Sequence, residues 1–199
     1  WDYGYHPEMI KAFKEKYGYD PREKEDPSMD ETWRQFRCDM VAEVANLVAE
    51  VVHKHGKAMS ASPFPTPKMS SRMVRQDWGD WNLDIVFPMV YHNFYTEDVS
   101  FVADCTIENA RDKKDMTTLY AGVWAYNTPE MFATMDAALN NGAQGISMFT
   151  AEAITDPAIR KQFKEYADSA RAARKANGGV VKATYPEKAD PNPFNHEGV

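Results

Sequence analysis

Aromatic, amide, hydroxyl and carboxylate side chains follow four apolar segments of the sequence, at the point where each segment ends. Aromatic rings stack on the C–H faces of sugars, and polar side chains beside them bind the hydroxyl groups. The sequence therefore predicts a sugar-binding site. The candidate binding residues, in chain order, are Ser62, Tyr91, Asn93, Tyr95, Trp124, Tyr126 and Asn127. The alternative is that the rings only pack over the ends of the segments, where Tyr and Trp also occur for packing reasons.

Three further residues are candidates for catalysis by acid–base chemistry: Glu152, Asp2 and His92. Glu152 follows the fourth segment, although it also fits a loop acid or a cap of the next helix. Asp2 lies in an aromatic-rich loop, WDYGYH, where a solvated acid is the alternative. Histidine suits proton transfer near neutral pH, so His92 is a candidate acid or base. A hydrogen bond to substrate and a purely structural role are the other interpretations of His92.

The four segments are predicted β-strands with helices between them. The segment from Asp84 to Tyr95 shows the pattern well, because its apolar residues do not alternate with polar ones, as is typical of a strand buried on both faces. The predicted strands cover residues 57–62, 84–95, 117–127 and 145–153. Ligands bind beyond the carboxyl ends of parallel strands, so we expect the side chains named above to meet at one edge of the sheet.

Two helices are predicted before the first strand. One covers residues 7–18 and is opened by Pro7, and the other starts near Asp30 or Ser28 as N-cap and runs to residue 56. In the longer helix, large apolar side chains recur at helical spacing, which predicts a face packed against the core. These residues are Trp33, Phe36, Met40, Val44, Leu47, Val48 and Val51. His53 and His55 stand two positions apart and do not share a helix face, which argues against a metal site there.

Two helices followed by four strand–helix repeats predict an α/β protein of the (β/α) type. An eight-stranded TIM barrel needs about 200 residues at least and typically about 250, with twice as many strands as this chain of 199 residues offers. We expect a partial barrel over residues 1–179, followed by an extended or disordered tail over residues 180–199. An open doubly wound sheet, or a half-barrel that dimerises to cover its sheet edges, are the alternatives.

Composition excludes several classes of function. The 30 acidic and 23 basic residues give a net charge of −7, the opposite of what nucleic-acid binding requires. No apolar window is long enough to span a membrane, and no glycine-rich fingerprint or ligand cluster indicates a cofactor or a metal. Cys38 and Cys105 are expected to be buried, unpaired thiols. Because the sequence begins at Trp1, without an initiator methionine, we expect a processed or truncated product.

Several motifs resemble those of the family 10 glycosylhydrolase-like proteins. The stretch DIVFPMVYHNFY resembles the family's D-[FI]-V-x-P-x-V-Y strand, and KAMSASPFP its V-S-V-S-P-F strand. TTLYAGVWAYN is similar to the Y-x-G-x-x-A-Y strand, GISMFT to the last barrel strand, and GYHPEMIKAFKEKYGYDP to the loop and helix after the fourth strand. The resemblance covers residues 1–174 and implies strands 5–8 of a TIM barrel that acts on or binds polysaccharide, generally outside the cytoplasm. It also implies an acid at the end of the fourth strand, immediately before Trp1.

Three hypotheses follow from the sequence. The first is a glycoside hydrolase that acts on an oligo- or polysaccharide by carboxylate acid–base chemistry, without a metal or cofactor. The second is a non-catalytic sugar-binding barrel, favoured because the third strand ends without a carboxylate and Glu130 lies where a helix start attracts an acid anyway. The third is a structural half-barrel that assembles with a missing N-terminal half or with a second copy.

Overall fold

The computed structural model describes residues 2–126, 128–176 and Gly178. It divides into two compact units. The first comprises Trp1–Pro88 and Asp112–Thr118, and the second comprises Met89–Arg111 and Leu119–Val199. The predicted boundary between barrel and tail at residue 179 lies outside the described residues and stays a prediction.

The first unit contains three helices and two short strands. They are α1 (Pro7–Tyr17), α2 (Glu31–Lys54), β1 (Ser60–Ala61), α3 (Pro67–Val74) and β2 (Ile85–Val86). Their ends follow local capping chemistry. Pro7 occupies the first turn of α1, and Gly18 closes that helix at φ 81°. Asp30 caps α2 by accepting the Trp33 N–H at 3.1 Å, which confirms one of the two predicted starts of the long helix.

Apolar side chains from α1 and α2 form a core in the first unit. Ile10, Phe13, Trp33 and Phe36 are buried together, and the Phe13 ring meets the Trp33 ring edge-on at 5.0 Å. Edge-to-face ring pairs add to the free energy gained by burial alone. This core confirms the prediction for the first two turns of the long apolar face.

The second half of that face was predicted wrongly. Val44, Leu47, Val48 and Val51, which we call the aliphatic stripe, are 63%, 61%, 44% and 52% exposed. Helical spacing indicates which side chains share a face, but it does not say what covers that face. Within the part of the chain that the structure describes, the aliphatic stripe faces solvent.

β1 and β2 are shorter than the sequence predicted. They pair in parallel through Ser60–Ile85 and Ala61–Val86. Three prolines near their ends, Pro63, Pro65 and Pro88, cannot donate to a ladder and limit the strands. Asp84 joins three segments of this unit: the Thr118 N–H donates to its carbonyl at 2.8 Å, the Met59 N–H donates to its Oδ2 at 2.6 Å, and His53 Nε2 of α2 lies 2.7 Å from the same oxygen.

The second unit contains longer strands and three helices, and one residue at the end of α4 and one at the start of β3 belong to the first unit. They are α4 (Ser100–Asp112), β3 (Thr118–Trp124), α5 (Thr128–Leu139), β4 (Gly145–Phe149) and α6 (Pro157–Ala176). β3 and β4 pair in parallel from Tyr120–Gly145 to Trp124–Phe149. On the other side of β3, Met89 forms a parallel bridge with Gly122.

All described strand pairings are therefore parallel, and helices separate the strands along the chain. The predicted α/β class is confirmed. Cys38 and Cys105 are buried free thiols, as expected, and burial raises the pKa of Cys38 to about 11 and that of Cys105 well above its ordinary value. Among the helices described, none has the length and apolar composition that crossing a bilayer requires.

Candidate functional site

The site in the second unit begins with a turn that replaces the predicted end of the second strand. After the Val90 N–H donates to the Gly122 carbonyl at 3.0 Å, the chain forms a 3₁₀ turn over His92–Tyr95. Thr96 closes this turn in the left-handed region, at φ 58°, which is a strained conformation for a β-branched residue. The predicted strand through Tyr95 is therefore wrong. The turn buries His92 and exposes Asn93 and Phe94.

Five rings from this turn and from the ends of β3 and β4 contact one another. We call them the aromatic cluster: Tyr91, Phe94, Trp124, Tyr126 and Phe149. Parallel pairing explains the convergence, because Trp124 and Phe149 are register partners at the carboxyl ends of β3 and β4. The structure thus brings together three of the predicted binding residues, Tyr91, Trp124 and Tyr126.

The aromatic cluster has a supporting layer and an exposed layer. Trp124 stacks on Phe149 with ring centroids 5.8 Å apart and planes at 25°, and Tyr91 stacks on Phe149 at 5.7 Å. Phe94 meets Trp124 edge-on at 5.0 Å. Tyr91 and Trp124 are half-buried, whereas Phe94, Tyr126 and Phe149 are 62%, 54% and 45% exposed. Rings held by other rings present a rigid apolar surface to solvent.

His92, which follows Tyr91 of the aromatic cluster in sequence, approaches Glu130. The His92 side chain is 3% exposed, and its Nε2 lies 3.7 Å from Glu130 Oε2. That distance is longer than a hydrogen bond, and neither ring nitrogen of His92 has a hydrogen-bond partner among the described residues. Glu130 lies in the first turn of α5, and its side chain is 44% exposed. A carboxylate open to solvent therefore faces an unsatisfied buried imidazole.

The other predicted residues of the second unit have different surroundings. Glu152 is exposed in a 3₁₀ turn, Ala151–Ile154, where its N–H donates to the Thr150 hydroxyl at 3.2 Å. Tyr95 packs on Phe101 with ring centroids 5.3 Å apart, and burial raises the pKa of its phenol. Burial likewise raises the pKa of Tyr91. Asn127 lies outside the described residues.

The remaining two predicted residues, Asp2 and Ser62, belong to the first unit. Ser62 is exposed just after β1. Asp2 Oδ1 accepts from Arg37 Nη1 at 2.7 Å and from Arg75 Nη2 at 2.6 Å, and Oδ2 accepts from the Tyr5 hydroxyl. Arg37 and Arg75 are buried, with side chains 3% and 9% exposed. Arg75 reaches Asp2 from a left-handed backbone position, φ 64°, at the end of α3.

These partners determine the protonation of Asp2. Burial alone raises the pKa of the carboxyl group, but the Tyr5 hydrogen bond and the two guanidinium groups outweigh it and hold the pKa below the ordinary value. Asp2 is therefore ionised at neutral pH. An ionised carboxylate held by two arginines serves poorly as a proton donor.

Three residues of this site, Phe94, Phe149 and Glu130, were not predicted from the sequence. Phe149 could have been found from its position at the end of a strand. Phe94 could not, because the second strand was predicted to continue past it to Tyr95. Glu130 carried no distinct signal, because an acid is common in the first helical turn. Within residues 2–126, 128–176 and Gly178, no group of three or more His, Cys, Asp or Glu side chains is arranged to hold a metal ion.

Comparison with known proteins gives no family for the chain. No protein-family model matches the sequence, and a search of curated proteins finds no significant match.

Proposed function

We propose that the chain is a carbohydrate-active domain that binds an oligo- or polysaccharide on the aromatic cluster. The observation that carries the proposal is the set of three exposed rings supported by stacked, half-buried rings at the carboxyl ends of paired parallel strands. Ring faces of this kind stack on the C–H surfaces of sugars, and α/β folds place binding sites at that edge. Asn93, which is exposed and adjacent to Phe94 in sequence, supplies a polar group for hydroxyls.

Binding is tested by isothermal titration with hexamers of glucose, xylose and galactose. Phe94→Ala removes an exposed ring, and we expect an affinity loss of about tenfold for the hexamer that the wild-type chain binds, since a well-placed ring contributes roughly 1–1.5 kcal/mol. Trp124→Ala removes instead the half-buried ring that contacts all three exposed rings, Phe94, Tyr126 and Phe149, and is expected to abolish measurable binding. Tyr3→Ala, which removes a 66% exposed ring outside the aromatic cluster, is the matched control. Unchanged affinity in both cluster variants contradicts the proposal.

The chemistry that we propose for this domain is glycoside hydrolysis by carboxylate acid–base catalysis. Glu152 is the proposed catalytic carboxylate, and His92 lies in the same unit. Release of reducing ends from the bound hexamer measures turnover, and Glu152→Gln is expected to reduce it at least a hundredfold with little change in affinity. Binding without turnover in the wild-type chain overturns the hydrolase proposal and leaves sugar binding intact.

A non-catalytic binding domain is the second candidate. The observation that favours it is the pairing of Asp2 with Arg37 and Arg75, which occupies this acid in an ion network instead of leaving it free for proton transfer. Hydrolysis normally requires two carboxyl groups across the scissile bond, about 5 Å or about 6.5–9.5 Å apart.

We propose that the parallel strands correspond to strands 5–8 of an eight-stranded barrel, located outside the cytoplasm as the family resemblance implies. The repeated strand–helix order supports the assignment. The exposed aliphatic stripe of α2 favours the hypothesis that the chain assembles with an N-terminal half-barrel or with a second copy. Light scattering on the isolated chain tests assembly with a second copy, and a monomer at all concentrations excludes that arrangement.

A further inference from the structure

We propose that Glu130 is the carboxylate that binds the sugar hydroxyls beside the aromatic cluster, and that His92 is its positioning residue. This inference rests on the proposed carbohydrate-binding function. It starts from the single close approach of Glu130 Oε2 to His92 Nε2, 3.7 Å apart.

The burial of His92 is the first step of the argument. An imidazole that is almost fully buried normally has hydrogen-bond partners for its nitrogens, because an unsatisfied buried polar group costs roughly 1–3 kcal/mol. Both nitrogens of His92 lack such a partner in the described part of the chain, and Nε2 is directed towards Glu130. An unsatisfied polar group of this kind indicates a function instead of a contribution to stability.

The open position of Glu130 is the second step. Its side chain keeps 44% of its surface in solvent while one oxygen faces the histidine. Hydrogen bonds at binding and catalytic sites are often long in the free protein and shorten when the ligand is bound. A carboxylate accepts from sugar hydroxyls strongly, since charge-assisted hydrogen bonds are about twice as strong as neutral ones.

The position of the pair along the chain is the third step. His92 lies between Tyr91 and Phe94, and Glu130 follows Tyr126 by four residues along the chain. Each member of the pair is thus tied to rings of the aromatic cluster through a short segment. The strained turn closed by Thr96 holds His92 inward while Phe94 faces solvent, and strain of this kind concentrates at binding sites.

The test is titration of the same three hexamers into Glu130→Gln and into its matched control Glu165→Gln, which changes an exposed carboxylate of α6 in the same unit. Glu130→Gln keeps the shape of the side chain but removes the charge, and we expect affinity to fall about tenfold or more. Glu165→Gln is expected to stay within about twofold of the wild-type affinity. Equal affinity of wild type and Glu130→Gln overturns the inference, whereas a wild-type chain that binds none of the hexamers overturns the proposed function itself.

The positioning role is tested by a pair of variants at His92. His92→Gln retains an N–H that can reach Glu130, whereas His92→Leu retains only bulk. We expect His92→Leu to lower sugar affinity as Glu130→Gln does, and His92→Gln to restore most of it, with thermal unfolding followed in parallel. If the two His92 variants bind with the same affinity, the positioning role is wrong even where both are less stable than the wild type.

Discussion

The Asp2 carboxylate forms ion pairs with two buried guanidinium groups, those of Arg37 and Arg75. The other hydrogen bonds of the two arginines go to the backbone carbonyls of Trp33, Tyr3 and Arg72, so among the described residues Asp2 is the one carboxylate that pairs with them. Removing one partner of a buried ion pair is far more damaging than replacing the whole pair, because the remaining charge is uncompensated. The residue that sequence analysis proposed for catalysis thus has a structural role that its sequence context did not reveal.

We predict that Asp2→Ala lowers the free energy of unfolding by about 3 kcal/mol. The pKa of Asp2 is lower in the folded chain than in the unfolded one, so its contribution to stability is complete above the unfolded pKa of about 3.9 and is lost as pH falls through the folded value. Urea unfolding of the wild type and of Asp2→Ala, recorded at about every pH unit between pH 3 and pH 7, measures both the loss of stability and its pH dependence.

Asp115→Ala is the control for Asp2→Ala, since it removes an exposed carboxylate from the same unit. It is expected to change the unfolding free energy by less than about 0.5 kcal/mol. A wild-type chain and an Asp2→Ala variant with the same stability at neutral pH contradict the structural role of the ion network.

At the scale of elements, the aromatic cluster depends on the register of β3 and β4. The register that pairs Tyr120 with Gly145 also pairs Trp124 with Phe149, four residues further along. Gly145 has no side chain, and a Cβ added there would lie 2.6 Å from Cε1 of the Tyr120 ring. The Tyr120 ring therefore occupies the space that a side chain at position 145 would need, in the same register that pairs Trp124 with Phe149.

We predict that Gly145→Ala destabilises the second unit by about 1–3 kcal/mol, as is typical of overpacking. Sugar binding is expected to weaken with it, since a shifted strand moves Phe149. The double variant Gly145→Ala with Tyr120→Ser is the check: it removes the ring that meets the new methyl group, and the two effects should be non-additive. Strictly additive losses, measured by urea unfolding, contradict the steric explanation.

Helix starts could be predicted from sequence, but the short strands could not. Capping chemistry is local, so Asp30 and Pro7 identified the starts of two helices correctly. The second strand was predicted to continue to Tyr95, because the apolar run gave no sign of the turn that Thr96 closes in a left-handed conformation. Tyr91, Trp124 and Tyr126 were predictable from strand ends, whereas the exposure of Phe94 and the approach of His92 to Glu130 depend on that unforeseen turn.

For the whole molecule, the prediction that failed is that the entire apolar face of α2 is covered by other elements. The aliphatic stripe has the spacing of a buried helix face, yet its four side chains face solvent in the described chain. Periodicity within one helix cannot reveal whether a second element lies against it, since that depends on contacts far away in sequence. The α/β class was predictable because it depends only on the order of strands and helices.

We predict that Leu47→Ala changes the unfolding free energy of the isolated chain by less than about 0.5 kcal/mol. Leu47 is 61% exposed and loses little contact on truncation. Leu83→Ala is the matched control, because Leu83 is 3% exposed in the same unit. This variant is expected to lower the free energy of unfolding by about 2–5 kcal/mol. Equal losses in the two variants, measured by urea unfolding, would show that Leu47 is covered in solution.

The two buried thiols have a practical consequence for labelling. Maleimides and iodoacetamide react with the thiolate, and burial both hinders access to Cys38 and Cys105 and raises their pKa values. A fluorophore can therefore be attached to a cysteine introduced at the exposed position of Asn93 while the native thiols remain unmodified. Because each native thiol reacts only when the structure around it opens, its rate of modification reports local opening. The rate for Cys38 reports opening of the first unit, and the rate for Cys105 reports opening of the second.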